Sequence, residues 1–123
     1  NVADDIETHQ LAVGSDTKMI SLSDDDFTQA KRVIGDGEIP MITVDSLNLS
    51  DVDVIKIDVE GYEMEVLKGA EKTLQTNTYV MIELNSNTGK YGSSNQECMD
   101  LLHKNGYKLL LEHWPDKVYY RAD

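Results

Sequence analysis

Cysteine is nearly missing from this sequence. Cys98 stands alone, which excludes an internal disulfide framework and a zinc site built on cysteine thiolates. Basic side chains are also scarce, with 11 Lys and Arg against 23 Asp and Glu for a net charge of −12. They form no cluster, so nothing in the chain is suited to neutralising a phosphate backbone, and no nucleic-acid partner is expected. High acidity is first of all a solubility feature. No apolar run reaches the about 18 residues of a membrane span, and no signal-peptide pattern is present. A membrane partner is therefore not expected, and a cytoplasmic setting is the default. The tripeptide Asn48-Leu49-Ser50 fits a glycosylation sequon, a pattern short enough to recur by chance. At 123 residues the chain is expected to be a single domain, residues 1–123, with a modest core and too little length for a full doubly wound sheet. It starts at Asn1 rather than Met, the expectation being a longer protein trimmed or truncated.

What the sequence does have is concentrated in residues 52–85. A β-rich run, Val54-Ile55-Lys56-Ile57, ends in Asp58-Val59-Glu60-Gly61. An amphipathic helix is expected over residues 62–75, with Met64, Leu67, Ala70 or Glu71, and Leu74 on one stripe. A second apolar run covers 79–84 and is followed by Asn85. Strand, acidic turn, helix and strand make one βαβ unit, and such units build parallel sheets. Ligands of open parallel sheets bind beyond the carboxyl ends of the strands, where Asp58, Glu60, Glu83 and Asn85 fall. The continuous apolar run at 54–57 suggests a strand covered on both faces.

The flanks read less sharply. Residues 6–13 alternate weakly and are expected to pair as a hairpin with 18–22 across the Gly14-Ser15-Asp16 turn. His9 then belongs to that strand. The aspartates Asp24, Asp25 and Asp26 are expected to start a short helix running to Ile34, broken by Gly35-Asp36-Gly37. Residues 39–44 form a strand whose Pro40 suits a sheet edge, and Asp45 or Ser46 is expected to cap a short turn after it. Ser94 and Glu97 form a capping box for a helix that turns Cys98, Leu101 and Leu102 inward and ends at Asn105-Gly106. Residues 107–112 and 117–121 make an antiparallel hairpin across Pro115, with Trp114 expected as a lid on the core rather than a rim for a ligand.

Each acid has a bland role beside a chemical one. Asp58 could simply cap the helix, Glu60 could complement the helix dipole, and Glu83 could be a strand-end acid paired to Lys56.

The stretch from Val54 to Ala70, followed by Val80 to Leu84 and preceded by Ile39-Pro40-Met41-Ile42-Thr43-Val44-Asp45, resembles the C-terminal half of FkbM-family methyltransferases. The resemblance covers about residues 6–112, is specific over Lys56 to Gly69, and extends to Gly106-Tyr107. It implies an α/β fold: a partial Rossmann-like methyltransferase sheet with parallel central strands and a C-terminal antiparallel hairpin. It also implies S-adenosylmethionine as cofactor and O-methylation of a sugar or secondary-metabolite hydroxyl as the reaction. By the same resemblance Leu11, Ala12 and Val13 flank the cofactor's adenine, and Asp58 lies beside the sulfonium and the acceptor. Glu60 supports the turn, and Asp58 or Glu83 takes the acceptor's proton. No metal site is assigned, although a magnesium ion held by Asp58, Glu83 and Asn85 is an alternative that hard oxygen ligands allow. Two features depart from the family pattern. The glycine-rich loop that holds the cofactor's methionine end is absent from this sequence, so weak or no cofactor binding is expected of this chain alone. Tyr62 stands where the family often has a small residue.

Two other readings remain open: a non-catalytic remnant acting as an interaction module, and an acidic cation-binding domain using Asp24, Asp25 and Asp26. Because the neighbour of the Val54–Ile57 strand is also absent, that strand is expected to expose an open edge on which two copies pair as a homodimer.

Overall fold

The structure is a computed structural model and describes residues 5–23 and 31–121. Its elements run β1 (Ala12–Val13), β2 (Lys18–Leu22), β3 (Val33–Ile42), β4 (Val54–Ile57), α1 (Glu63–Lys68), β5 (Tyr79–Glu83), α2 (Asn95–Lys104), β6 (Tyr107–His113) and β7 (Asp116–Arg121). They form an α/β fold with two sheets, one of three strands in the order β1-β3-β2 and one of four in the order β4-β5-β7-β6.

The four-stranded sheet follows the expected pattern. β4 and β5 pair in parallel with Val54 opposite Tyr79 and Ile57 opposite Ile82, while β6 and β7 form the antiparallel hairpin. Alternation sets the inner face. Ile57, Val80, Ile82, Tyr107 and Tyr119 join Met64, Leu67, Leu74, Cys98 and Leu102 from the helical layer in one buried core. The capping box of α2 is present, with Ser94 Oγ accepting from Glu97 N–H and Glu97 accepting from Ser94 N–H.

β4 is not covered on both faces. It is the outermost strand of its sheet, and Val54 is 59% exposed while Ile57 is 2% exposed. A short apolar run does not reveal whether one face or two will be covered. The expected helix over 62–75 is also shorter. α1 stops at Lys68, and a separate 3-10 turn spans Thr73–Gln75. The break is held by Asp45, whose N–H donates to Gly69 O at 3.0 Å. Its carboxylate accepts from Lys72 N–H at 2.8 Å and from Thr73 N–H at 3.0 Å and hydroxyl at 2.8 Å. Asp45, expected to cap a turn of its own, thus caps one 27 residues away.

The three-stranded sheet departs further. No β1–β2 hairpin forms: β3 lies between them, parallel to β1 and antiparallel to β2. Residues 6–10 are exposed and irregular, so His9 lies outside any strand. Their polar alternation offered no face worth burying. The aspartates expected to open a helix lie outside the described residues, but Val33 and Ile34 belong to β3. Gly35 and Gly37 do not end that strand. A Cβ at Gly37 would lie 2.3 Å from Ile20 O, beside the register shift between Ile20 and Ser21, so this glycine admits a close approach at a bulge. Pro40 sits in the central strand of its sheet, tolerated because β1 pairs only with Met41 and Ile42. Trp114 is 67% exposed at the β6–β7 turn and covers no core.

Candidate functional site

Register brings the acids together. With Ile57 opposite Ile82 on parallel strands, Asp58 and Glu83 are the next residues along, and they emerge side by side at the carboxyl end of the sheet. Glu60 returns to them through a sharp turn, its own φ being +54° and that of Gly61 +114°. A residue carrying a Cβ enters that left-handed region only when its surroundings hold it there. The result is that one carboxylate oxygen from each of Asp58, Glu60 and Glu83 lies within 4.8 Å of the others.

Asn85 Nδ2 donates to Glu83 Oε1 at 2.9 Å, which favours the ionised form. Burial and the neighbouring charges of Asp58 and Glu60 outweigh it and push the Glu83 carboxyl above its ordinary value. Two of the bland roles are not those seen. Asp58 does not cap α1, whose first residue is preceded by Tyr62 with no side-chain cap. Lys56 pairs with Asp58, at 3.6 Å, rather than with Glu83. Three converging carboxylates can accept a proton or, at this spacing, bridge a hard cation.

Two residues that the sequence reading did not assign to the site brace this arrangement. Glu63, 1% exposed, accepts from Gly61 N–H at 3.0 Å and from Thr88 Oγ1 at 3.4 Å. Asn87 Nδ2 donates to Glu60 Oε2 at 2.7 Å. The signal available in the sequence was the Asn85-Ser86-Asn87 spacing. It suits a side-chain-to-backbone turn, and Asn85 Oδ1 does accept from Asn87 N–H at 2.7 Å.

Glu60 also lines an apolar cleft of about 330 Å³. Leu11, Ala12 and Val13 form one wall with Met41 from β3, and Val59, Tyr62 and Tyr91 form the other. Tyr62 meets Tyr91 edge-on with ring centroids 4.8 Å apart, and Tyr91 is fixed by accepting from Val33 N–H at 2.7 Å. Burial first, then the charges of Glu65, Tyr91 and Asp16, raise the Tyr62 phenol above its ordinary value, so it stays a neutral ring at physiological pH. The structure therefore gathers Leu11, Ala12, Val13 and Glu60 around one cleft, with Asp58 and Glu83 meeting Glu60 through their carboxylates. Asp24, Asp25 and Asp26 lie outside the described residues. Among the described residues no helix is long and apolar enough to cross a membrane.

The profile of the Methyltransferase FkbM domain matches residues 1–109. A curated relative, hexuronic acid methyltransferase AglP of Haloferax volcanii, is 29% identical over 79 residues, covering 64% of this chain and 26% of its own length. The crystal structure of a methyltransferase FkbM from Methylobacillus flagellatus superposes on 98% of this chain and 29% of its own, with a TM-score of 0.60 and 21% identity. That similarity speaks for the fold. The chain thus spans between a quarter and a third of the length of either protein.

Proposed function

The chain belongs to the FkbM methyltransferase domain family, and from that premise we propose that it carries the acceptor-side part of an S-adenosylmethionine-dependent O-methyltransferase site acting on a sugar hydroxyl. The observation that supports this most is the meeting of Asp58, Glu60 and Glu83 at the carboxyl ends of β4 and β5, with Glu60 also lining the cleft walled by Leu11, Ala12 and Val13. The cleft suits a flat, largely apolar group such as a purine, with the Tyr62 ring at one side. The acids suit a hydroxyl. Bound S-adenosylmethionine supplies an electrophilic methyl group on a sulfonium.

In this reading Glu83 accepts the hydrogen bond of the acceptor hydroxyl and orients its oxygen, with Asp58 beside it. Glu83 takes the proton, because its carboxyl is held above its ordinary value and so binds a proton more readily. Glu60 holds the turn and adds negative charge beside the cleft. The apolar wall keeps water from the reacting oxygen. Positioning contributes most of the rate in such a displacement. The curated relative acts on a hexuronic acid by its name, and a hexuronic acid is the first acceptor to test here. The open edge of β4 is, in the same reading, where a second copy adds its own β4, which light scattering of the purified chain would show as a dimer mass.

Millimolar S-adenosylmethionine is expected to shift the backbone amide signals of Leu11, Ala12, Val13 and Glu60, and glucuronate those of Asp58 and Glu83. Calorimetry is expected to show affinity weaker than micromolar for the cofactor, since no glycine-rich loop is present to hold its methionine end. Unchanged amide signals with both compounds would overturn the proposal.

A further inference from the structure

The contact between Asn87 and Glu60 joins two loops far apart in sequence, and its details separate two jobs within one residue. The backbone of Asn87 builds the turn after β5: its N–H donates to Asn85 Oδ1 at 2.7 Å. Its carbonyl packs so closely on Gly61 that a Cβ there would lie 2.3 Å from Asn87 O. Neither contact uses the Asn87 side chain. The side-chain amide makes a different bond, from Nδ2 to Glu60 Oε2 at 2.7 Å. Glu60 is a residue with φ at +54°, part of a loop that has no helix or strand to hold it. On the far side of the same loop, buried Glu63 ties Gly61 N–H to Thr88 Oγ1. The loop after β4 is thus clamped to the loop after β5 at two points. Of these two points, only the Asn87 amide reaches a member of the acidic group.

We infer that Asn87 is a positioning residue: its side-chain amide holds the Glu60 carboxylate toward Asp58 and Glu83 and fixes the spacing of the three acids. The inference rests on the methyltransferase reading above and names a residue that reading does not use. An amide suits the task because it donates to one oxygen of the carboxylate without neutralising it. The relay continues through Asn85, which holds Asn87 by its Oδ1 and Glu83 by its Nδ2. One pair of asparagines therefore sets both the acid after β4 and the acid ending β5.

The structure makes the substitution selective. Asn87→Ala keeps the turn and the Gly61 packing, which are backbone contacts, and removes only the bond to Glu60. Asn87→Asp places a like charge against Glu60. In a 15N-labelled sample of the whole chain, the Asn87 side-chain amide is expected away from the position of a solvated amide and protected from exchange. Glu60→Ala should return it to the solvated position, whereas Ser86→Ala, at an exposed neighbour, should leave it unmoved. With methyl transfer from labelled S-adenosylmethionine to the accepted sugar as readout, Asn87→Ala is expected to lower kcat about ten- to a hundredfold. KM for the cofactor should be little changed, Asn87→Asp should lose more than Asn87→Ala, and Asn87→Ala should melt close to the wild type. A solvated Asn87 amide in the wild type would overturn the inference. So would equal kcat for the alanine variant and the wild type, or losses that simply track melting temperature. If the wild type transfers no methyl group to any sugar while the Asn87 amide still responds to Glu60→Ala, the catalytic reading fails and the Glu60 anchor stands.

Discussion

Gly69 offers the sharpest test of how the two sheets meet. Its backbone, with φ −78° and ψ 0°, is open to any residue, so alanine there carries no conformational penalty. From the unfolded chain alone, replacing glycine by alanine would stabilise by about 0.4–1 kcal/mol. The surroundings reverse the sign. A Cβ on Gly69 would stand 2.0 Å from Gly14 O, 3.1 Å from Gly14 C and 3.2 Å from Thr43 Cβ. Even the tightest real contacts are near 3.0 Å, so the gap must open by about 1 Å. The obstacle is backbone on both sides. Gly14 N–H is bonded to Ile42 O at 2.9 Å, and Gly69 O is held by Asp45 N–H at 3.0 Å. Overpacking that shifts backbone costs about 1–3 kcal/mol and occasionally more, and a net loss of about 2 kcal/mol is expected for Gly69→Ala. Gly89, with nothing within 4 Å of its added Cβ and no positive φ, is the control, and Gly89→Ala should be neutral or slightly stabilising. Urea unfolding followed by far-ultraviolet circular dichroism measures both. A Gly69→Ala midpoint at or above the wild-type value, with the same slope, would refute the close approach.

Leu67→Ala should cost about 2–5 kcal/mol, because Leu67 is fully buried mid-stripe on α1; a loss in urea below about 1 kcal/mol would be that of an ordinary surface change. Asp45→Ala should cost about 0.5–2 kcal/mol through the lost cap of the Thr73–Gln75 turn. Burial pushes the Asp45 carboxyl up, but its bonds to Lys72 and Thr73 and the Lys72 charge together hold it below its ordinary value. The stabilisation is therefore full above the ordinary aspartate range and lost as pH falls through the lowered value, so wild type and variant should converge in acid. Cys98 is buried and its thiol is pushed up to about 12 by burial and then by Glu63 and Glu97. It should resist iodoacetamide at pH 8 until the chain is unfolded, and rapid labelling of the native protein would contradict this.

The core and the convergence of the three acids could be read from the sequence because both rest on local rules. The pattern of Val54–Ile57 and Tyr79–Glu83 around one apolar stripe sufficed for the parallel pair, and that pairing placed Asp58 beside Glu83. What could not be read depended on partners distant in the chain. The break of the helix after Lys68 needs Asp45. The central place of β3 needs both β1 and β2, and its length was hidden by glycines that read as stops. Asn87 reaches Glu60 across 27 residues, and no periodicity records such a bond. The single cover of β4 depends on which elements lie opposite it, a property of the assembled sheet and not of four apolar letters.

The cleft at Glu60 lies on a seam. Leu11, Ala12, Val13 and Met41 belong to the three-stranded sheet and the segment leading into it, whereas Val59, Tyr62 and Tyr91 come from loops of the four-stranded one. Among the described residues, direct ties across that seam include the part-buried bonds of Ser15 Oγ to Glu65 Oε2 at 2.5 Å and Val33 N–H to the Tyr91 hydroxyl at 2.7 Å. A molecule lodged there touches both sides at once and so acts as a clamp. Its binding energy then appears as resistance to opening: at a free concentration one hundred times its Kd, a ligand that binds only the closed seam adds about 2.7 kcal/mol to stability. Melting temperature and protease resistance of the segment around β1–β3 thus become a label-free assay, able to rank candidate cofactors and sugars before any reaction is detected.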